Sequence, residues 1–81
     1  MEYTFFNFPN IVISQEVCAG KPRLKGTRIP VSSVLAYLAG GMSIEEFLKE
    51  FYWVERTSVL QALAFSAQTM NDRLIPLEKA A

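Results

Sequence analysis

The chain has 81 residues, of which 51% are hydrophobic and 12% aromatic, and its eight basic residues balance its eight acidic residues. This length allows one small domain, and a single core of this size supplies only about 3–5 kcal/mol. We therefore expect a homodimer, and the neutral net charge does not by itself indicate a nucleic-acid partner.

Several classes of protein are disfavoured by what the sequence lacks. Cys18 is the one cysteine, which excludes an internal disulfide framework, and without histidine a zinc site is improbable, so we expect neither metal nor cofactor. No apolar run approaches the length of a membrane span, so we expect no membrane contact. The start MEYTFFNF lacks the basic head and long apolar stretch of a signal peptide, and we expect a cytoplasmic protein.

The N-terminal part is predicted to be extended. Residues 3–8 are rich in aromatic side chains and residues 11–13 are β-branched, which predicts two short strands separated by Pro9-Asn10. Residues 23–25 lie between glycine and proline breaks and are predicted to form a third, brief strand. We assign residues 1–30 to this extended β/arm segment.

Two amphipathic helices are predicted after Pro30. Apolar residues recur at i, i+3, i+4 and i+7 in both, at Val31, Val34, Leu35 and Leu38 and at Ile44, Phe47, Leu48 and Phe51. The first helix should end at Gly40-Gly41, with one of these glycines at positive φ. Ser43 and Glu46 form a capping-box pattern, which predicts the start of the second helix.

A third helix is predicted from about Arg56 to Met70. It is apolar on two faces, one with Val59 and Ala62 and the other with Leu60 and Ala64, which is typical of a helix that serves both a core and a partner. Residues 71–81 are predicted to be a C-terminal extension.

The predicted fold class is mainly α with short N-terminal β-strands. Residues 31–70 hold three short helices joined by tight turns, as in a helix-turn-helix core, although a plain three-helix bundle has the same pattern.

The segment ISQEVCAGKPRLKGTRIPVSSVLAYLAGGMSIEEF resembles the small prokaryotic family called domain of unknown function 433. The most distinctive pieces are Gly20-Lys21-Pro22 and Gly26-Thr27-Arg28-Ile29-Pro30-Val31. The resemblance implies a homeodomain-like helix-turn-helix fold. It also implies an antitoxin of a type II toxin–antitoxin pair, with a PIN-domain-like ribonuclease toxin as partner and its own promoter as operator DNA.

The chain departs from the family's usual residues at three places. Ser14-Gln15 stands where Asp-Pro is common, and Ala19 stands where glycine is common. The turn before the third helix reads Tyr52-Trp53-Val54-Glu55 in place of a Pro-Gly-Leu-Thr turn, so the geometry of that turn does not follow from the resemblance.

The basic residues are concentrated in residues 18–31, which contain no acid. The spacing does not fit a Walker-type phosphate loop, because five residues separate Gly20 from Gly26 and no lysine follows. No base is positioned by sequence to activate Cys18, so an enzyme is the least expected class. An extended nucleic-acid-binding arm is favoured. The candidate phosphate-contacting residues are Lys21, Arg23, Lys25 and Arg28. On the third helix, Gln61 is a candidate for reading adenine and Arg56 for contacting guanine or phosphate.

The alternative is a protein-interaction or dimerisation module without DNA binding. In that case the basic segment would dock on the carboxylate-rich active site of a toxin. Adjacent Tyr52 and Trp53 favour this alternative, because an exposed tryptophan is a typical interface residue. The candidate interface residues are Tyr3, Phe5, Tyr52, Trp53, Leu60 and Ala64.

Overall fold

The computed structural model describes residues 1–72, which form a three-stranded antiparallel sheet followed by three helices. The prediction of short N-terminal strands and three helices is thereby confirmed. In chain order the elements are β1 (Tyr3–Phe5), β2 (Phe8–Ile13), a short 3-10 turn (Cys18–Gly20), β3 (Arg23–Leu24), α1 (Val31–Ala39), α2 (Ile44–Glu50) and α3 (Arg56–Asp72).

The first two strands are divided at Phe6-Asn7, so the predicted division at Pro9-Asn10 is wrong. Phe5 pairs with Phe8, and this pairing leaves only Phe6 and Asn7 in the turn of the hairpin. The next pair is Thr4 with Val12, so the residues between Phe8 and Val12 bulge out of the ladder. Proline is tolerated at a bulge because no ladder hydrogen bond requires its missing N–H group.

Side chains from β1 and α3 satisfy the polar groups of this bulge. The Thr4 hydroxyl donates to the Ile11 carbonyl at 3.2 Å. The Asn10 backbone N–H donates to Gln61 Oε1 at 2.7 Å, and Asn10 Nδ2 donates to Ser58 Oγ at 3.3 Å. Two residues of α3 therefore attach that helix to the irregular part of β2.

The core lies between the sheet and the three helices. α3 packs across β2 and also contacts α1, α2 and β3. The predicted apolar stripes supply most of the buried side chains, and Phe47 is 0% exposed. The buried hydrophobic residues that pack together in this core are Ile11, Leu24, Val31, Val34, Phe47, Val54, Val59 and Ala62. The periodicity therefore identified the inward face of each helix correctly.

The predicted capping box begins α2. The Glu46 backbone N–H donates to Ser43 Oγ at 3.1 Å, and the Ser43 N–H donates to the Glu46 carboxylate at 2.8 Å. The hydrogen bond from the Ser43 backbone N–H to the Glu46 carboxylate, followed by the Ser43 hydroxyl, lowers the pKa of Glu46 below its ordinary value of 4.5. Because the folded-state pKa is the lower one, the ionised cap contributes stability above about pH 4.5, and this contribution is lost as the pH falls through the folded-state pKa.

The turn between α1 and α2 contains one glycine in the left-handed region, as predicted. Gly41 has φ +105°, whereas Gly40 has φ −78°. We expect Gly41→Ala to lower the free energy of unfolding by about 1 kcal/mol, because a Cβ is strained at positive φ. Gly40→Ala is the matched control and should change it by much less. Chemical denaturation of both variants measures the difference, and equal effects would contradict the assignment.

The 3-10 turn before β3 has an unusual backbone. Cys18 and Ala19 both adopt positive φ, at 54° and 53°, and Gly20 follows at 80°. Left-handed conformations cost a residue with a Cβ about 1–2 kcal/mol. Ala19 is therefore strained, and glycine at this position would relieve the strain.

α3 extends to Asp72, two residues beyond its predicted end at Met70. Residues 73–81 of the predicted C-terminal extension lie outside the described residues. Within residues 1–72, no helix is long and apolar enough to cross a membrane.

Candidate interaction surfaces

A tight turn after β3 displays two cations of the basic segment, and a third lies just before β3. Leu24 and Ile29 close the turn through a 2.9 Å backbone hydrogen bond, and the Thr27 hydroxyl donates to the Leu24 carbonyl at 2.8 Å. The side chains that remain exposed, with no ion pair among the described residues, are Lys21, Lys25 and Arg28; we call them the basic loop.

Arg23 does not belong to this exposed group, which corrects its prediction as a phosphate contact. It is only 4% exposed, and its guanidinium donates to Glu2 at 2.9 Å and to Ser14 Oγ at 3.2 Å. The strand position turns the side chain inward, where a charge requires a partner. Ser14 supplies only a hydroxyl, and Glu2 supplies the carboxylate.

The two predicted base-reading residues on α3 are also engaged inside the chain. Gln61 accepts the Asn10 N–H, so its carbonyl oxygen is occupied by the bulge of β2. Arg56 is exposed but forms an ion pair with Glu45 at the start of α2. In this structure both side chains already have a partner within the chain, which competes with the bidentate contact that base recognition requires.

Three exposed aromatic side chains and the half-buried Phe51 form a group where α1, α2 and the α2–α3 turn meet. The Tyr37 ring centroid is 5.3 Å from that of Phe51, and Phe51 is 5.7 Å from Trp53. Trp53 in turn contacts Tyr52 at 5.2 Å, edge to face. We call Tyr37, Phe51, Tyr52 and Trp53 the aromatic surface. Below it, the buried Phe47 contacts Phe51 at 4.6 Å, so the surface is attached directly to the core.

The exposure of these rings is large for a small domain. Tyr52 is 82% exposed, Trp53 55% and Tyr37 45%. The sequence identified Tyr52 and Trp53 as interface candidates but missed Tyr37 and assigned Phe51 only to the core. A signal for Tyr37 was present, because a large aromatic residue stands outside the apolar stripe of an amphipathic helix.

A second apolar surface is formed by the β1–β2 hairpin and α3. Phe5, predicted to be an interface residue, is instead half-buried, with its ring 4.8 Å from that of Phe65. Its neighbour Phe6 is 99% exposed at the hairpin turn. Beside it lies an open groove of about 270 Å³ that is lined by Phe5, Phe6, Asn7, Phe8, Phe65, Gln68, Thr69 and Asp72.

The remaining interface candidates are exposed in separate places. Tyr3 is exposed on β1, and Leu60 and Ala64 are exposed on the outer face of α3. Among residues 1–72, no cluster of three cysteine, aspartate or glutamate side chains forms a candidate metal site.

The described residues thus define a small domain of one sheet and three helices that displays a basic loop and an aromatic surface. The family described as "Protein of unknown function (DUF433)" matches residues 11–66, more than two thirds of the chain, and the chain belongs to this family. The match includes both the basic loop and the aromatic surface. Neither the curated proteins nor the solved structures gave a match.

Proposed function

We propose that this chain is a cytoplasmic binding protein rather than an enzyme, and that it is the antitoxin of a PIN-like ribonuclease. The family resemblance supplies the antitoxin class and the kind of toxin. The aromatic surface is the single observation that carries the proposal, because exposed tryptophan and tyrosine side chains next to one another are typical of the centre of a protein interface.

The energetics favour a partner for this surface. Exposed aromatic groups on a small monomer mark interaction sites, and burial of one such side chain contributes about 1.5–3 kcal/mol. Because Phe47 packs against Phe51 and Phe51 contacts Trp53, the Trp53 ring is held in place before binding, which reduces the ordering required on binding.

The proposal predicts a gene for a PIN-like ribonuclease next to the gene of this chain, and it is tested with that enzyme after purification. Titration of the chain into the enzyme should reduce RNA cleavage until the two are equimolar, because an antitoxin occupies its toxin stoichiometrically. Full cleavage in the presence of excess folded chain would contradict the proposal.

DNA binding is a second candidate function, favoured by the exposed cations of the basic loop. We propose that α2 and α3 form a helix-turn-helix unit and that the loop contacts phosphates of the chain's own promoter. Since Gln61 and Arg56 are engaged within the chain, sequence preference should be weak.

Replacement of Lys21 and Lys25 by alanine should weaken binding to all DNA sequences similarly. The slope of log affinity against log salt should decrease by about one unit for each lost phosphate contact. Arg23→Ala is not an equivalent change, because it leaves the Glu2 carboxylate without its partner. Fluorescence anisotropy at several salt concentrations measures the slope, and an unchanged slope in a folded double variant would exclude the loop as the phosphate site.

We also propose a homodimer in which the Phe6 side chain of each copy enters the groove beside Phe65 of the other. An exposed side chain next to a groove is self-complementary under two-fold symmetry, because each copy can insert its side chain into the groove of the other. Phe6→Ser should therefore give a monomer by light scattering at micromolar concentration, whereas Leu60→Ser on the outer face of α3 should remain dimeric. A wild-type monomer would contradict the homodimer, and dissociation by Leu60→Ser alone would place the interface on α3.

A further inference from the structure

Carboxylates lie at both ends of the exposed aromatic segment. Glu50 directly precedes Phe51, and Glu55 follows Trp53 by two residues. Both side chains belong to exposed residues, and neither has an ion pair within the described part of the chain. By contrast, Glu45 is paired with Arg56 and Glu46 serves the capping box.

The local charge is negative in spite of two nearby cations. From residue 44 to residue 56 there are four carboxylates, and the cations are Lys49 and Arg56. Arg56 is occupied by Glu45, so Lys49 is the one cation of this stretch without an ion pair among residues 1–72. A ligand that approaches the aromatic surface therefore meets net negative charge.

The rings themselves also favour a cation. Tyr52 and Trp53 stand almost perpendicular, with an interplanar angle of 89°, so their faces point in different directions. A guanidinium or ammonium group over the face of tryptophan or tyrosine is stabilised by the ring quadrupole, and tryptophan gives the strongest effect. Carboxylates next to such faces add charge-assisted hydrogen bonds.

We infer that the aromatic surface binds a cationic, apolar peptide segment of the partner protein, with arginine or lysine side chains over Tyr52 and Trp53 and between Glu50 and Glu55. The proposed function identifies the partner as the toxin; the chemistry of the segment follows from this surface alone. Aliphatic side chains of the same segment cover Tyr37 and Phe51.

A nucleic acid is the less suitable occupant of these rings. Bases stack on aromatic side chains, but a strand also brings phosphates, which Glu50 and Glu55 repel. The two occupants therefore predict opposite responses to the removal of these two charges.

The experiment uses Trp53 as its reporter, because it is the one tryptophan of the chain. The probes are a short helical peptide of leucine and arginine, the same peptide with citrulline in place of arginine, and single-stranded oligothymidine. Binding is followed by tryptophan emission and by calorimetry in wild type, in a Glu50→Gln/Glu55→Gln variant and in Glu16→Gln. Glu16 is an exposed carboxylate outside this surface, paired with the N-terminal amine.

The arginine peptide should bind wild type and change the Trp53 emission, and its affinity should fall about tenfold in the double variant because two exposed ion pairs are lost. The Glu16→Gln variant should bind the arginine peptide with the affinity of wild type. The citrulline peptide should have the same affinity for the double variant as for wild type. Equal affinities of the arginine and citrulline peptides for wild type would overturn the inference.

Two further outcomes would also overturn it. One is no binding of the arginine peptide at all, and the other is tighter binding of oligothymidine than of the arginine peptide by wild type. Failure of the proposed function gives a different result. If the chain binds the arginine peptide but leaves the nuclease active, the inference about the surface stands and only the toxin is excluded as the partner.

Discussion

Replacement of Phe47 by alanine is expected to leave the domain largely unfolded at room temperature. The side chain is fully buried and packs against Phe51, with ring centroids 4.6 Å apart. Removal of a buried phenylalanine costs about 3–5 kcal/mol. A core of this size supplies only about the same amount. Urea denaturation followed by far-UV circular dichroism measures the loss.

Phe6→Ala is the matched control for this experiment. Phe6 is almost completely exposed at the hairpin turn, so its replacement should change the free energy of unfolding of the monomer by less than about 0.5 kcal/mol. Measurements at low protein concentration keep dimerisation out of the comparison. A Phe47→Ala variant as stable as the Phe6→Ala variant would contradict the position of Phe47 in the core.

The Tyr52→Ala/Trp53→Ala double variant is expected to lose most of its affinity for the ribonuclease while remaining folded. Truncation of one central aromatic residue of an interface costs at least about 2 kcal/mol, which raises the dissociation constant roughly thirtyfold. The dissociation constant of the double variant should therefore rise by at least about this factor. The fold loses mainly the edge contact between Trp53 and Phe51, about 0.5–1.5 kcal/mol.

Calorimetric titration of the ribonuclease with each variant gives the dissociation constants. Met70→Ala is the control, because it also removes an exposed apolar side chain, from the C-terminal part of α3. Equal affinities of the double variant, the control and wild type would show that the aromatic surface does not contact this partner.

The local signals in the sequence predicted much of the helical part. The capping box of Ser43 and Glu46, the positive φ of a glycine after α1 and the buried face of each helix depend on residues within two turns of one another. Such short-range patterns retain their meaning in the folded chain.

Long-range contacts account for the side-chain partners that the sequence did not predict. Gln61 was predicted to read bases, but its partner Asn10 is 51 residues away in the chain. The Asn10 N–H faces Gln61 because β2 bulges at this position. Arg23 was grouped with its basic neighbours, but its carboxylate comes from Glu2, 21 residues earlier. Neither pairing produces a periodic pattern in the sequence, so neither could be predicted from residue spacing.

The aromatic surface was predicted only in part for a similar reason. Tyr52 and Trp53 are adjacent in the chain, so their exposure followed from the impossibility of burying both. Tyr37 joins them from α1 through Phe51, and this contact depends on how α1 and α2 pack together. Helix packing of this kind is not encoded in spacing alone.

The proposed role of the aromatic surface is tested most directly by the state of Trp53 in the complex. Because the chain contains a single tryptophan, labelling with 5-fluorotryptophan gives one fluorine resonance for this position. On addition of the unlabelled ribonuclease, the resonance should shift and lose its sensitivity to exchange of H₂O for D₂O, because the ring leaves water. A complex that forms while the resonance keeps its free position and its solvent sensitivity would contradict the proposed surface.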